Sequence, residues 1–402
     1  MKILKLVLMV IIALSLTIYL IKPKDNEQTE VSFYTLQMGT FKDYIENIIS
    51  EFEKENPEIK IKWVDVPYSE GEKRALASVL SDNTPDIFNL TPDFSLTLAQ
   101  KNALTFIEEE TLSQFFKPLL KSVKYGEKYY AFPFYATSAV TIYNEDLMKD
   151  NSIPQNYPEL FDLCLKFKQN NDYLTMISFN ENDTLLKILN KYGIKEPKDL
   201  LKDESIDLFR ELRNLYQSGK LPKESITQSH REGLEKYMSG QLAILNVGVN
   251  FINIIKENAP QIYEKTKIAP QLSSNHGEYD YSLMNLVIPK KSKHKEEAIK
   301  FILYLTNEKN QLDLSKLTSV LSVNDLALKD EFFKGSDENL LSQAISVSAK
   351  QLKEPIEPVK IQKNRKEIIS LSSTFIQKVL ISSEKIEDLV KKFSDDWEKL
   401  SV

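Results

Sequence analysis

The chain has 402 residues, 42% of them hydrophobic and 27% charged, with a net charge of −6. That length exceeds what a single hydrophobic core usually serves, so two domains are expected, and the apolar fraction suffices for both. Lysines and acidic residues are mixed along the chain with no long basic block, which excludes a nucleic-acid protein, because that would need a basic face to neutralise phosphates.

Lys2 and Lys5 precede an apolar run from Leu6 to Ile21, interrupted by Ser15, Thr17 and Tyr19, and the polar stretch Lys22–Gln28 follows. Basic flank, apolar run and polar exit make an export signal. As a helix, the 19 residues from Ile3 to Ile21 would span about 28 Å, close to the hydrocarbon thickness of a bilayer. The only small residues suited to cleavage, Ala13-Leu14-Ser15, are followed by more apolar chain, Ile18–Ile21. The run therefore reads as an uncleaved anchor in preference to a cleaved peptide, and residues 1–29 as signal, anchor and linker. No cysteine lies near it to be acylated.

From Val31 short strands alternate with amphipathic helices, the pattern of an α/β fold. Val31–Leu36 is a strand, broken by Gly39 and by Thr40, which can cap the next helix. In that helix Phe41, Tyr44, Ile45, Ile48, Ile49 and Phe52 form one apolar stripe. Ile59, Ile61 and Trp63 then alternate with Lys60 and Lys62, as a half-exposed strand requires. Asp86–Leu90 is a buried strand, and Phe132–Tyr135 and Ala139–Tyr143 are extended. The lone cysteine, Cys164, lies between Leu163 and Leu165, where a buried, inert thiol is expected. Leu234, Tyr237 and Met238 close a helix stopped by Gly240, and Leu242–Val247 is a buried strand. Leu286–Pro289 is a further strand, and helical spacing returns over Ala298–Leu305 and Ile386–Trp397. No linker divides the middle of the chain, which suggests two lobes joined by several crossing segments.

Catalytic signatures are missing. His230, His276 and His294 stand in polar stretches without metal-ligand spacing, and the 10 glycines form no phosphate loop, nucleophile elbow or dinucleotide fingerprint. Asp93 and Glu108 could be paired as a glycosidase acid and base, but 58 acidic residues make such pairs common. Tyr129-Tyr130 could ligate ferric iron, yet as residues opening a strand they read as packing. The aromatic residues point to binding. Tyr68, Phe94, Phe134, Tyr135, Phe251 and Tyr281 fall at strand ends or turns, where a flat ring can cover the C–H face of a sugar while Asp, Asn and Gln satisfy its hydroxyls.

Several segments, in order, resemble the family 1 extracellular solute-binding proteins, the group that includes maltose-binding protein. They are Phe52–Pro57 with Ile59-Lys60-Ile61, Pro85-Asp86-Ile87, Tyr129–Phe134 with Ile142–Leu147, Met238–Ile244, and Leu286–Lys293 with Ala298–Ile302. The resemblance implies a two-lobed periplasmic-binding-protein type II fold with a cleft that closes on ligand. It implies lobes of residues 30–135 plus 283–318 and 136–282 plus 319–402. Carried over by position, the ligand-binding residues would be Gln37, Tyr68, Thr91, Asp93, Phe94, Phe134, Tyr135, Gly248, Asn250, Tyr281 and Asn285. The implied function is capture of a sugar or oligosaccharide outside the cytoplasm and delivery to the permease of an ABC importer, by a membrane-tethered monomer without cofactor, metal or catalysis. A non-sugar solute (polyamine, ferric ion, phosphorylated polyol) on the same fold is the alternative, and an extracellular glycoside hydrolase the third reading. Departures from the family pattern at Asn156–Leu160 and Tyr281–Asn285 argue against a maltodextrin in particular.

Overall fold

A computed structural model describes residues 28–81, 84–167, 172–181, 183–336, 339–356 and 364–401, with the side chains of Thr40, Tyr68 and Leu80 also outside the described part. The apolar N-terminal run and its proposed anchoring therefore lie outside the described residues. Among those described, no helix is long and apolar enough to cross a membrane.

In chain order the first part comprises β1 (Thr29–Leu36), α1 (Lys42–Glu55), β2 (Ile59–Val66), α2 (Tyr68–Leu80), β3 (Ile87–Leu90) and α3 (Pro92–Gln100). A small hairpin of β4 (Lys124–Tyr125) and β5 (Lys128–Tyr129) leads to β6 (Phe132–Thr137) and β7 (Val140–Asn144). There follow α4 (Glu145–Met148), α5 (Tyr157–Lys166), α6 (Thr184–Lys191), α7 (Asp203–Gln217), α8 (His230–Met238), β8 (Ile244–Val247), α9 (Phe251–Asn258), α10 (Pro260–Lys265) and β9 (Thr266–Pro270). The chain ends with β10 (Ser282–Val287), α11 (Lys295–Leu305), α12 (Glu308–Thr318), α13 (Leu340–Gln351), α14 (Arg365–Ile381) and α15 (Ile386–Ser401).

Two main sheets organise these elements. One has the order β2-β1-β3-β10-β6, with β1 parallel to β2 and β3 and with β10 antiparallel to β3 and β6. The other is antiparallel, in the order β8-β7-β9. The chain passes from the first sheet to the second across Ser138-Ala139 and returns between Pro270 and Ser282. Ser319–Asn324 runs beside β6, with Leu321 bridged to Ala136. Strand β10 joins the first sheet only after β7, β8 and β9 have formed the second, so the first sheet is built from two separate stretches of chain.

The alternation read in β2 holds: Ile59 and Ile61 are buried and Lys60 and Lys62 exposed. Helix α1 presents Ile45, Ile48 and Phe52 to the sheet, where Phe52 and Phe33 both meet Phe301 of α11 edge-on, at 5.0 and 5.3 Å. Its start differs from expectation. A short 3-10 turn over Gly39–Phe41 comes first, Phe41 occupies the cap position, and no side chain caps the helix. Gly240 ends α8 as expected, at φ 76, a left-handed conformation that only glycine adopts without strain. A second apolar cluster lies under the second sheet, where Phe375 of α14 stacks on Phe393 of α15 at 4.2 Å and meets Phe209 of α7 edge-on at 4.9 Å. Cys164 is buried in this cluster, and burial pushes its thiol up to about 12.

Candidate functional site: a cleft between the two sheets

A cleft of about 640 Å³ opens where the chain crosses between sheets, and its lining comes from both. From the first sheet's side come Phe41, Thr137 and Ser282; from the second come Thr141, Asn246 and the loop Gly248–Asn250. A smaller compartment of about 320 Å³ shares Lys187, Asp280, Tyr281 and Ser282 with it and adds Thr91, Asp93, Asp183 and Arg365. Volumes of this size suit a small organic ligand.

The floor is a buried polar network that fixes the crossing segment. Ser138 Oγ accepts from Gln271 Nε2 and from Gln351 Nε2, both at 2.9 Å, and donates to the Asp280 carbonyl at 3.0 Å. Gln351 Oε1 accepts from the Gln271 N–H at 2.7 Å, and Ser348 Oγ donates to the Ser138 carbonyl at 2.8 Å. Helix α13 is thereby tied to both passages between the sheets. Lys191, at the end of α6, is 4% exposed and lies 2.9 Å from Asp280. Its ammonium also donates to Gln271 Oε1 and to the Leu272 carbonyl. A buried cation with an acid and two acceptors is satisfied in place, as burial demands.

Aromatic rings enter the cleft from opposite sides. Phe41 and Tyr281 flank the first sheet, while Tyr157 opens α5 and Phe251 opens α9 on the second. Tyr157 packs against Phe161 and Tyr192, and burial, with Asp280 nearby, raises its phenol well above the usual tyrosine range. Between the rings stand Thr141, whose hydroxyl donates to Asn246 Oδ1 at 2.7 Å, and Asn250.

The charged lining residues resolve into pairs. Glu181 contacts His230 Nδ1, Lys187 lies 2.9 Å from Asp183, Lys191 2.9 Å from Asp280, and Arg365 3.0 Å from Asp93. Among the described residues, every Lys, Arg, Asp and Glu lining the two compartments has a side-chain partner that also lines them, that of Glu181 being the imidazole of His230. Burial raises the pKa of Asp93, opposed by Arg365 and reinforced by Asp183 and Glu72.

Of the residues expected in the cleft, Gly248, Asn250 and Tyr281 line the larger compartment, and Thr91, Asp93 and Tyr281 the smaller. At Gly248 a Cβ would come within 2.6 Å of Asn250 Oδ1, so glycine allows this loop to fold tightly. Five of the expected residues lie outside both compartments. Phe134 and Asn285 are fully buried in the first sheet, where Phe134 belongs to the apolar core and Asn285 pairs with Leu90 and Pro133 across neighbouring strands. Tyr135 is half-buried with its ring edge-on to Phe134 at 5.2 Å, Phe94 packs against the same core, and Gln37 is exposed with φ 52 after β1; none of these lines a compartment. Tyr68 opens α2, its side chain lying outside the described part. His230, expected on an ordinary surface, faces the cleft.

The sequence reading missed Lys191, Asp280, Gln271, Tyr157 and Arg365. The only local signal near them was polar residues set in apolar strands, Thr141 in Val140–Ile142 and Asn246 in Ile244–Val247. Lys191 and Asp280 are brought together by the fold alone.

Comparison with known proteins agrees with this architecture. The family described as "Bacterial extracellular solute-binding protein" matches residues 47–340. The multiple sugar-binding protein of Streptococcus mutans is 24% identical over 65% of this chain and 67% of its own length. The galactooligosaccharide-binding protein of Bacillus subtilis is 22% identical over 76% of each. The solved structure of the sugar-binding protein MalE from Xanthomonas citri superposes with a TM-score of 0.77 at 18% identity, covering 93% of this chain and 97% of that one; at that identity the likeness is one of fold. The chain belongs to the bacterial extracellular solute-binding protein family and has the α/β fold of the maltose-binding-type periplasmic proteins.

Proposed function

We propose that this chain captures a neutral sugar or short oligosaccharide in the cleft and releases it unchanged to the permease of an ABC importer. The observation that carries the reading is that every described Lys, Arg, Asp and Glu in the lining already has a side-chain partner there. A polyamine needs unpaired acids, and a phosphorylated polyol needs unpaired cations or a nest of amides. A ferric ion needs anionic ligands, and Tyr129 and Tyr130 pack against the first sheet's core instead of facing the cleft. A neutral polyol asks only for hydroxyl partners and flat apolar faces. Thr141, Asn246 and Asn250 supply the first, and Phe41, Tyr157, Phe251 and Tyr281 the second. The ligands named for the Streptococcus and Bacillus relatives are sugars, which supports the same class here.

In this reading Thr91, Asp93, Gly248, Asn250 and Tyr281 contact the ligand, and the two sheets with their helices are the two lobes. No reaction is needed. Glu108, the partner Asp93 would require for glycoside hydrolysis, stands outside the lining. The protein works as a monomer, held at the outer face of the cytoplasmic membrane by its N-terminal apolar run. Thermal-shift screening across neutral saccharides, polyamines, ferric complexes and polyol phosphates tests the class. A ligand present at 100 times its Kd adds about 2.7 kcal/mol to stability. Stabilisation by a neutral saccharide supports the reading; stabilisation by a charged class alone overturns it.

A further inference from the structure

The first turn of α14 reaches to the opposite wall of the cleft. Arg365 is salt-bridged to Asp93 of α3 at 3.0 Å, and Lys366 to Glu72 of α2 at 2.8 Å. The rest of α14 is fixed on the far side, with Ile368, Phe375, Ile376 and Val379 buried among α7 and α15. Helices α2 and α3 pack instead on the first sheet, against β3 and β10. Two adjacent ion pairs therefore cross between the two halves of the molecule at the edge of the smaller compartment.

Their position on the helix is unfavourable by local rules. Cations in a first turn oppose the helix dipole, whose positive end lies there. Asn364, at the cap, has φ 50 and makes no capping hydrogen bond from its side chain. Arg365 and Lys366 thus gain little from their own helix, and their favourable partners lie across the cleft.

We propose that Arg365 and Lys366 form an ionic latch that holds the two lobes together before ligand arrives and so sets the balance between closed and open receptor. The latch depends on the two-lobed architecture and not on the identity of the ligand. It is a bias rather than a lock. The side chains of the Lys366–Glu72 pair are 83% and 45% exposed and those of Arg365–Asp93 32% and 46%, and pairs this wet are individually weak. Together they shift the closed-to-open ratio by about three- to tenfold.

The test is the distance between the lobes in ligand-free, full-length protein. Spin labels on Ala77→Cys in α2 and Ser370→Cys in α14, both exposed positions, report it by pulsed electron resonance, while buried Cys164 stays unlabelled. The wild-type distribution is dominated by the short distance. Lys366→Glu, which places like charges together, raises the long-distance population by about three- to tenfold, and adding Glu72→Lys to it restores the short one. Arg365→Gln also opens the receptor, with helix content by circular dichroism unchanged. If neither Lys366→Glu nor Arg365→Gln alters the distribution, or if the charge swap does not restore it, there is no latch. Because no sugar is added, a failure here is separable from a failure of the proposed ligand class.

Discussion

Tyr281 and Tyr135 were both expected in the cleft, and the structure separates them. Tyr281 lines both compartments, whereas Tyr135 rests its ring against Phe134 in the first sheet. Their replacements should therefore have opposite signatures. Tyr281→Ala removes a face for a sugar ring and is expected to weaken binding by roughly tenfold, about 1.4 kcal/mol, with little change in the melting of ligand-free protein. Tyr135→Ala removes packing and should lower ligand-free stability by about 2 kcal/mol while leaving affinity near wild type. Titration calorimetry and thermal denaturation of both variants separate the cases; the reverse assignment would move the site. Cys164 offers a third check at this scale. With its thiol buried and pushed up to about 12, it should resist thiol reagents at pH 8 in the native protein and react at once after unfolding. Fast native labelling would contradict the packing of α5 against the second cluster.

At the level of elements, strands and helices with strong periodicity were legible because their pattern is local. β1, α1, β2, β6, β7 and the stop at Gly240 follow from alternation, helical spacing and one breaker. Helix α7 was not read, although Leu208, Phe209, Leu212 and Leu215 give it a buried stripe, and α14 escaped because its apolar residues cover much of its circumference. The cleft was legible only in part, for a different reason. Thr91, Asp93, Gly248, Asn250 and Tyr281 sit where strands end, a position that resemblance to a known fold can locate. The Lys191–Asp280 and Arg365–Asp93 pairs join residues far apart in sequence, and no spacing rule reports such contacts. The same holds for the network beneath the cleft, where Gln351 serves Ser138, Ala139 and Gln271 at once. Gln351→Leu would take the partner from the Gln271 N–H and from the Ala139 carbonyl, while Ser138 Oγ keeps Gln271 and Asp280, and should destabilise the protein by about 3 kcal/mol. A loss below about 0.5 kcal/mol in urea denaturation would mean that the passages between the sheets are held by packing alone.

For the whole molecule, the chain passes twice between two sheets that enclose a cleft whose described Lys, Arg, Asp and Glu residues all have partners in the lining, an arrangement suited to closing around a ligand that carries no charge of its own. If the N-terminal run is retained as an anchor, the full-length protein partitions with membranes, and a chain beginning at Asp25 is soluble and binds with unchanged affinity. A mature N-terminus at Thr17 in exported protein would replace the anchor with a cleaved signal. The most direct test of the central claim is the electron density of the protein crystallised with the saccharide that stabilises it most. The account predicts one neutral sugar held between rings from opposite lobes, Tyr281 on one side and Tyr157 or Phe251 on the other, its hydroxyls reaching Thr141, Asn246 or Asn250, with the Lys191–Asp280 pair intact beneath it. A sugar bound on an outer face, or a charged solute that breaks Lys191–Asp280 or Glu181–His230 to take their place, would contradict it.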